Sequence, residues 1–166
     1  MNPLTNNPSI SAAARPVVEA LSRFTARPDV LAALQNARDA AEKQLRQTPG
    51  LAAAFIALDP ARLGWASPET IGSIRVSVTR GPASSTVERH ANSAQYLFVL
   101  DGPVETHVET AGGWRVDRYG LGGSVALEDR WHVVPAGVWH KTAAPGLAHW
   151  GIVAFHSASQ VSDEYR

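Results

Sequence analysis

The spacing of hydrophobic residues along the chain changes near residue 71. Upstream it is helical. Val30, Leu34, Ala37, Ala41 and Leu45 recur every three or four residues behind Arg27-Pro28-Asp29, which predicts an amphipathic helix stopped at Pro49-Gly50. On its polar side Asp39 precedes Lys43 and Glu42 precedes Arg46 by four residues, pairs worth about 0.2–0.5 kcal/mol each. Pro16 suits the first turn of a shorter helix, Val17 to about Thr25. The run Leu51 to Leu58 is apolar throughout, and its alanines argue for a third helix. Asp59 to Pro68 reads as loop, and residues 1–14 as a loosely ordered polar lead-in.

From Ile71 onward the period is two. Ile74, Val76 and Val78 alternate with Arg75, Ser77 and Thr79. Short strands then recur between turn signals: Gly81-Pro82, Asp101-Gly102-Pro103, Gly112-Gly113, Gly122-Gly123, Ala136-Gly137 and Pro145-Gly146. Val104–Thr110 and Trp114–Tyr119 flank Gly112-Gly113 as a hairpin, and the last strand runs from Ala148 to about His156. The expected class is mainly β, a sandwich or barrel, with an α-helical N-terminal extension. The expected division is a helical extension over residues 1–70, a barrel over 71–158 and a polar C-terminal tail over 159–166. The helices are expected to cover the barrel's outer face or to build a dimer contact.

Composition narrows the picture. At 166 residues the chain is long enough for a core without cross-links. Fifteen basic and fifteen acidic side chains balance, with no basic stripe, so no nucleic-acid partner is expected. There is no cysteine, which excludes disulfides, thiolate metal sites and a cysteine nucleophile. No secretory pattern opens the chain, and no apolar run nears the roughly 20 residues of a membrane span. A cytoplasmic protein without a membrane partner is the expectation. Phosphate-binding loops and the Gly-x-Ser-x-Gly elbow are missing.

Candidate chemistry gathers at two stretches. In Glu88-Arg89-His90 the acid and the imidazole share one strand face, and Gln95 opens the next strand on a face with Leu97 and Val99. Pro135-Ala136-Gly137-Val138-Trp139-His140 follows about forty residues later, and His140 shares a face with Thr142. Curled into a barrel, these strands would aim Glu88, His90, Gln95 and His140 at one interior region among apolar walls. Unpaired polar groups there would each cost roughly 1–3 kcal/mol, and one divalent metal would satisfy all four. Nitrogen and oxygen donors without sulfur suit Fe(II), Mn, Ni, Zn or Co.

These residues resemble the cupin superfamily. Its first motif is a glycine, His-x-His, three or four residues, a carboxylate, six residues and a glycine; His90, Gln95 and Gly102 fit the second half of that spacing. Its second motif, Pro-x-Gly-x-x-His, is matched by Pro135, Gly137 and His140. The resemblance covers about residues 71–156. It departs at Glu88, which replaces the first histidine, and at Gln95, which replaces the carboxylate. It departs also at Asp129, where a glycine is expected upstream of Pro135, and at Ala144, where an asparagine is expected. The resemblance implies a jelly-roll barrel (a double-stranded β-helix), commonly dimeric. It implies a divalent metal on His90 and His140, with Gln95 and Glu88 as further ligands or Glu88 as a catalytic acid or base. It implies a small-molecule metalloenzyme: a dioxygenase, or a lyase or isomerase acting on an anionic or oxygenated substrate. The alternative is a cupin that binds or senses a small molecule without turnover, and a third reading is a structural protein assembled through its helices.

The other histidines carry no assignment. His107, flanked on its face by Glu105 and Glu109, reads as a solvated strand face. His132 reads as a surface imidazole, or one that reaches the barrel mouth. His149 and His156 fall on opposite faces of the last strand, so at most one points inward. Trp139 and Tyr96 adjoin the candidate ligands but have the parity of the opposite face.

Overall fold

A computed structural model describes residues 9–67, 70–81, 84–120 and 126–166. The turn signals at Pro82 and at Gly122-Gly123 lie outside the described residues. Two helices lead, α1 (Arg15–Thr25) and α2 (Pro28–Gln47). Strands follow: β1 (Ala53–Leu58), β2 (Ser73–Arg80), β3 (Glu88–His90), β4 (Gln95–Val99), β5 (Val104–Thr110) and β6 (Gly113–Tyr119). A single helical turn, α3 (Leu127–Arg130), precedes β7 (Trp131–Val134), β8 (His140–Ala143), β9 (His149–His156) and β10 (Asp163–Tyr165). They form two antiparallel five-stranded sheets, ordered β1-β2-β9-β4-β7 and β10-β3-β8-β5-β6.

The first sheet is buried on both faces, which explains why β7 and most of β9 are apolar without alternation. Its outer face presents Ile74, Val76, Tyr96, Phe98, Trp131, Val133, Val153 and Phe155. Against it lie Val18, Leu21 and Phe24 of α1 and Val30, Leu34 and Ala37 of α2. The helical stripe expected from spacing is the buried one: Val30, Leu34, Ala37, Ala41 and Leu45. Glu42 takes Arg46 at 2.5 Å as expected, whereas Asp39 lies beside Arg38, at 3.3 Å. The inner face carries Leu97, Val134, Trp150, Ile152 and Ala154, packed against Val104 and Tyr119 of the second sheet. The barrel's interior lies between these two faces.

Two expectations fail. Leu51 to Leu58 is not a helix: β1 pairs with β2 from Ala53↔Thr79 to Leu58↔Ile74. Alanine propensity favours helix, but Ala54 packs on Ala41, Leu45 and Val78, while Ile56 and Leu58, on the same face, lean on the core. The edge of β2 also offers unpaired backbone groups, so sheet pairing overrides propensity. The C-terminal residues are not only a polar tail: Asp163, Glu164 and Tyr165 pair with His90, Arg89 and Glu88. Among the described residues no helix is long and apolar enough to cross a membrane.

Two glycines of the sequence motifs have steric reasons. A Cβ at Gly102 would stand 2.2 Å from the Gly120 carbonyl oxygen. Gly137 has φ +75°, a left-handed turn conformation that β-carbons disfavour, and its N–H donates to the His90 carbonyl at 2.9 Å. That bond ties the turn before His140 to the strand that carries His90.

Removing a fully buried α2 contact should show how much the helices stabilise the barrel. Leu34→Ala is expected to lower the unfolding free energy by about 2–5 kcal/mol in urea titration. Val116→Ala, on the exposed face of β6, should change it by less than about 0.5 kcal/mol.

Candidate metal centre

The second sheet brings the candidate ligands together by register. Glu88 of β3 stands opposite His140 of β8, and His90 stands opposite Asp163 of β10. On the first sheet Gln95 stands opposite His156. Glu88, His90, Gln95 and His156 all line a cavity of about 360 Å³. Arg75 from the first sheet and Asp163 and Tyr165 from the second also line it, and Leu97, Ile152 and Ala154 supply its apolar surface.

Among the described residues, Glu88, His90 and His140 form a group whose donor atoms lie within 4.8 Å of one another. Glu88 Oε1 is 3.9 Å from His90 Nε2 and 3.7 Å from His140 Nε2. Donors about 2.0–2.2 Å from one ion lie at most about 4.3 Å apart, so small side-chain rotations would close the group on a cation. His140 Nδ1–H donates to the Val138 carbonyl at 3.1 Å, which leaves Nε2 as a lone pair; that atom is buried and has no partner. His90 Nδ1–H donates to Asp163 Oδ1 at 2.8 Å, and Gln95 Nε2–H donates to His90 Nε2 at 3.0 Å. Gln95 Oε1 is left buried without a partner, and a half-turn of the amide would exchange it with Nε2. Unpartnered lone pairs of nitrogen and oxygen around one point fit a divalent cation.

Electrostatics keep the imidazoles uncharged. Burial pushes His140 down to about 4, the Val138 carbonyl opposing it only in part. Burial, helped by His90 and Arg75, pushes His156 down to about 3. His90 is lowered by burial against the pull of Asp163. Glu88 moves the other way, up to about 7, because burial and the Asp163 charge disfavour its anion more than Arg75 favours it.

All four residues chosen from sequence therefore meet in one region. Three others were not singled out. His156 is fully buried, both its ring nitrogens lack partners, and its ring centroid is 4.8 Å from that of His90. Parity allowed only one of His149 and His156 inside; β9 is apolar on both faces, so no alternation told which. Asp163 had no apolar pattern to mark its strand, and Arg75 read as a polar partner of the Ile74 and Val76 face. His132 is neither at the surface nor at the mouth: it is fully buried, bonded to Asp117 at 2.9 Å and stacked on Tyr119. His107 lies half-buried beside Glu105, at 3.6 Å. Trp139 points away from the site, under the guanidinium groups of Arg89 and Arg166.

No family model and no curated protein sequence matches the chain. Solved structures do. A point variant of Bacillus subtilis oxalate decarboxylase superposes with a TM-score of 0.55 at 13% identity, over 71% of this chain and 29% of that one. A second variant gives 0.54 at 15% identity, over 73% and 30%. A third structure of that protein, described for its Mn(II) centres, gives 0.54 at 14% identity, over 70% and 28%. The chain spans less than a third of the length of those structures.

The buried imidazoles set the acid response of the metal-free protein. Their folded pKa values lie below the ordinary 6.5, so the unfolded chain takes up protons first as pH falls. Their contribution is complete above about pH 6.5 and is lost toward pH 4 and below, a decline on the order of a few kcal/mol. Glu88, raised above its ordinary 4.5, opposes this between about pH 7 and 4.5. Denaturant titrations across that range should show falling stability, and Glu88→Gln should steepen the fall.

Proposed function

We propose, from the cupin jelly-roll fold this chain shares with those decarboxylase structures, that the protein is a metal-dependent enzyme acting on a small anionic or oxygenated substrate. The observation that carries this reading is the convergence of Glu88, His90 and His140 with His140 Nε2 buried and unpartnered. His90 and His140 would hold the ion through Nε2, with Glu88 as the carboxylate ligand and the Gln95 amide oxygen within reach after a half-turn. A divalent Fe, Mn, Ni or Zn there would supply Lewis-acid polarisation of a substrate oxygen or, with iron, access to dioxygen.

The remaining wall handles the substrate. Arg75 supplies a cation beside the site, and Ser77, Ser85, Thr86 and Thr142 supply hydroxyls. His156, neutral and unpartnered, can donate one hydrogen bond and accept another from a substrate oxygen beside His90. Burial raises Glu88 to about 7, so in the metal-free barrel it is partly protonated near neutral pH and a cation would displace that proton, which couples loading to proton release. The apolar surface of Leu97, Ile152 and Ala154 limits water around the reacting group.

The reaction class is a dioxygenase, or a lyase or isomerase; the structural neighbours are named for oxalate decarboxylation, which supports the lyase branch. A second reading, a binding or sensor module without turnover, draws on the Gln95 amide that already occupies His90 Nε2. Oxygen uptake and product analysis with small carboxylates separate the two. Protection against melting without turnover would favour the sensor. A cytoplasmic homodimer is part of the same proposal, and sedimentation tests its dimeric state.

The ligand assignment has a direct test. Elemental analysis of purified protein should find a transition metal in the wild type and little of it in His140→Ala, while His107→Ala keeps it. Equal losses in both variants would remove His140 from the site.

A further inference from the structure

We propose that Asp163 is a positioning residue of this centre: from the C-terminal strand it locks His90 in the tautomer that presents a bare Nε2 to the site. The inference rests on the reading of His90 as a ligand and adds the last residues of the chain to the site.

A ring nitrogen binds a cation only when it carries no proton, and which nitrogen is bare follows from what the other one bonds. His90 has an acceptor on one side and a donor on the other. Asp163 Oδ1 lies 2.8 Å from Nδ1, and a carboxylate accepts but does not donate. Gln95 Nε2 lies 3.0 Å from His90 Nε2 and donates. The opposite tautomer would set a lone pair against the carboxylate and an N–H against the amide N–H. Asp163 is itself held: Arg75 binds its Oδ2 at 2.8 Å, so the carboxylate cannot swing away without breaking an ion pair.

The need for such a device follows from the strand. β3 has three residues, and its register with β8 contains one pair, Glu88↔His140. On its other side β10 supplies three pairs. The Ala91 N–H donates to the Ser162 carbonyl at 3.0 Å, the Arg166 N–H donates to the Val87 carbonyl at 3.1 Å, and Arg89 binds Glu164 at 2.6 Å. His140 offers an internal contrast. Its tautomer is set by the Val138 backbone carbonyl, which no side-chain substitution removes.

The test uses the full chain and two measurements. Long-range proton–nitrogen NMR of metal-free protein reads the tautomer of each histidine, and calorimetric titration with Mn(II) reads affinity. In the wild type and in Glu164→Ala, which loosens the strand but leaves the His90 bond, His90 should carry its proton on Nδ1. In Asp163→Ala the single tautomer should be lost, His140 should be unchanged, and Mn(II) affinity should fall roughly 10–100-fold. Asp163→Leu, similar in shape and unable to accept a hydrogen bond, replaces the alanine variant if that one does not fold. An unchanged His90 tautomer in the Asp163 variant, or an equal loss of affinity in Glu164→Ala, would overturn the proposal. If the wild type takes up no Mn(II), the metal reading fails there, and the tautomer comparison still decides what Asp163 does.

Discussion

A buried imidazole must find a partner for each nitrogen or remain a source of unsatisfied polarity, and this constraint organises the interior of the barrel. The four buried histidines form a graded series. His90 is bonded at both nitrogens, His132 and His140 at one, and His156 at neither. Burial keeps them neutral, since a charge there would lose its hydration without an equal return. The unpartnered atoms of His156 and Gln95 belong to residues that line the cavity, and that of His140 lies 3.7 Å from Glu88, which lines it too; each costs about 1–3 kcal/mol if left unsatisfied.

The scaffold makes that concentration possible. Two helices seal the outer face of the first sheet, so its central strands are buried on both sides and rigidly packed. The second sheet is less covered: Trp114 and Val116 of β6 are exposed, and salt links such as Arg118–Glu105 and Arg89–Glu164 dress its outer face. The cavity lies between the rigid sheet and the edge where β3 and β10 pair. The β1 edge, with Phe55, and the β10 edge, with Tyr165, flank its opening.

The candidate donor set is a permutation of the one its sequence motifs resemble. Glu88 stands where that pattern has a histidine, and Gln95 stands where it has a carboxylate. The carboxylate thus stands on β3 rather than on β4. His156, opposite Gln95 in register, restores a third imidazole to the same cavity. The region holds three imidazoles and two carboxylates, with Glu88 placed between His90 and His140 and Asp163 bonded behind His90. That placement also explains why Glu88 is raised so far: it shares low-dielectric space with uncharged rings and with the Asp163 anion.

Much of this was legible in the chain because it depends on local period and spacing. The α2 stripe follows a 3.6-residue repeat, the Ile74 and Val76 face a two-residue repeat, and the spacings through Gln95, Gly102, Gly137 and His140 follow turn geometry. Strand parity alone placed Glu88 and His90 on one face, and Trp139 away from it. What needed the tertiary structure was whatever long-range pairing decided. Leu51 to Leu58 became a strand because an edge of β2 lay open and α2 offered Ala54 a packing partner, neither of which its local propensity records. Asp163 met His90 only once the last residues closed on β3, across a separation that no local pattern records. His156 turned inward on a strand apolar on both faces, where alternation is silent and only packing chooses the side.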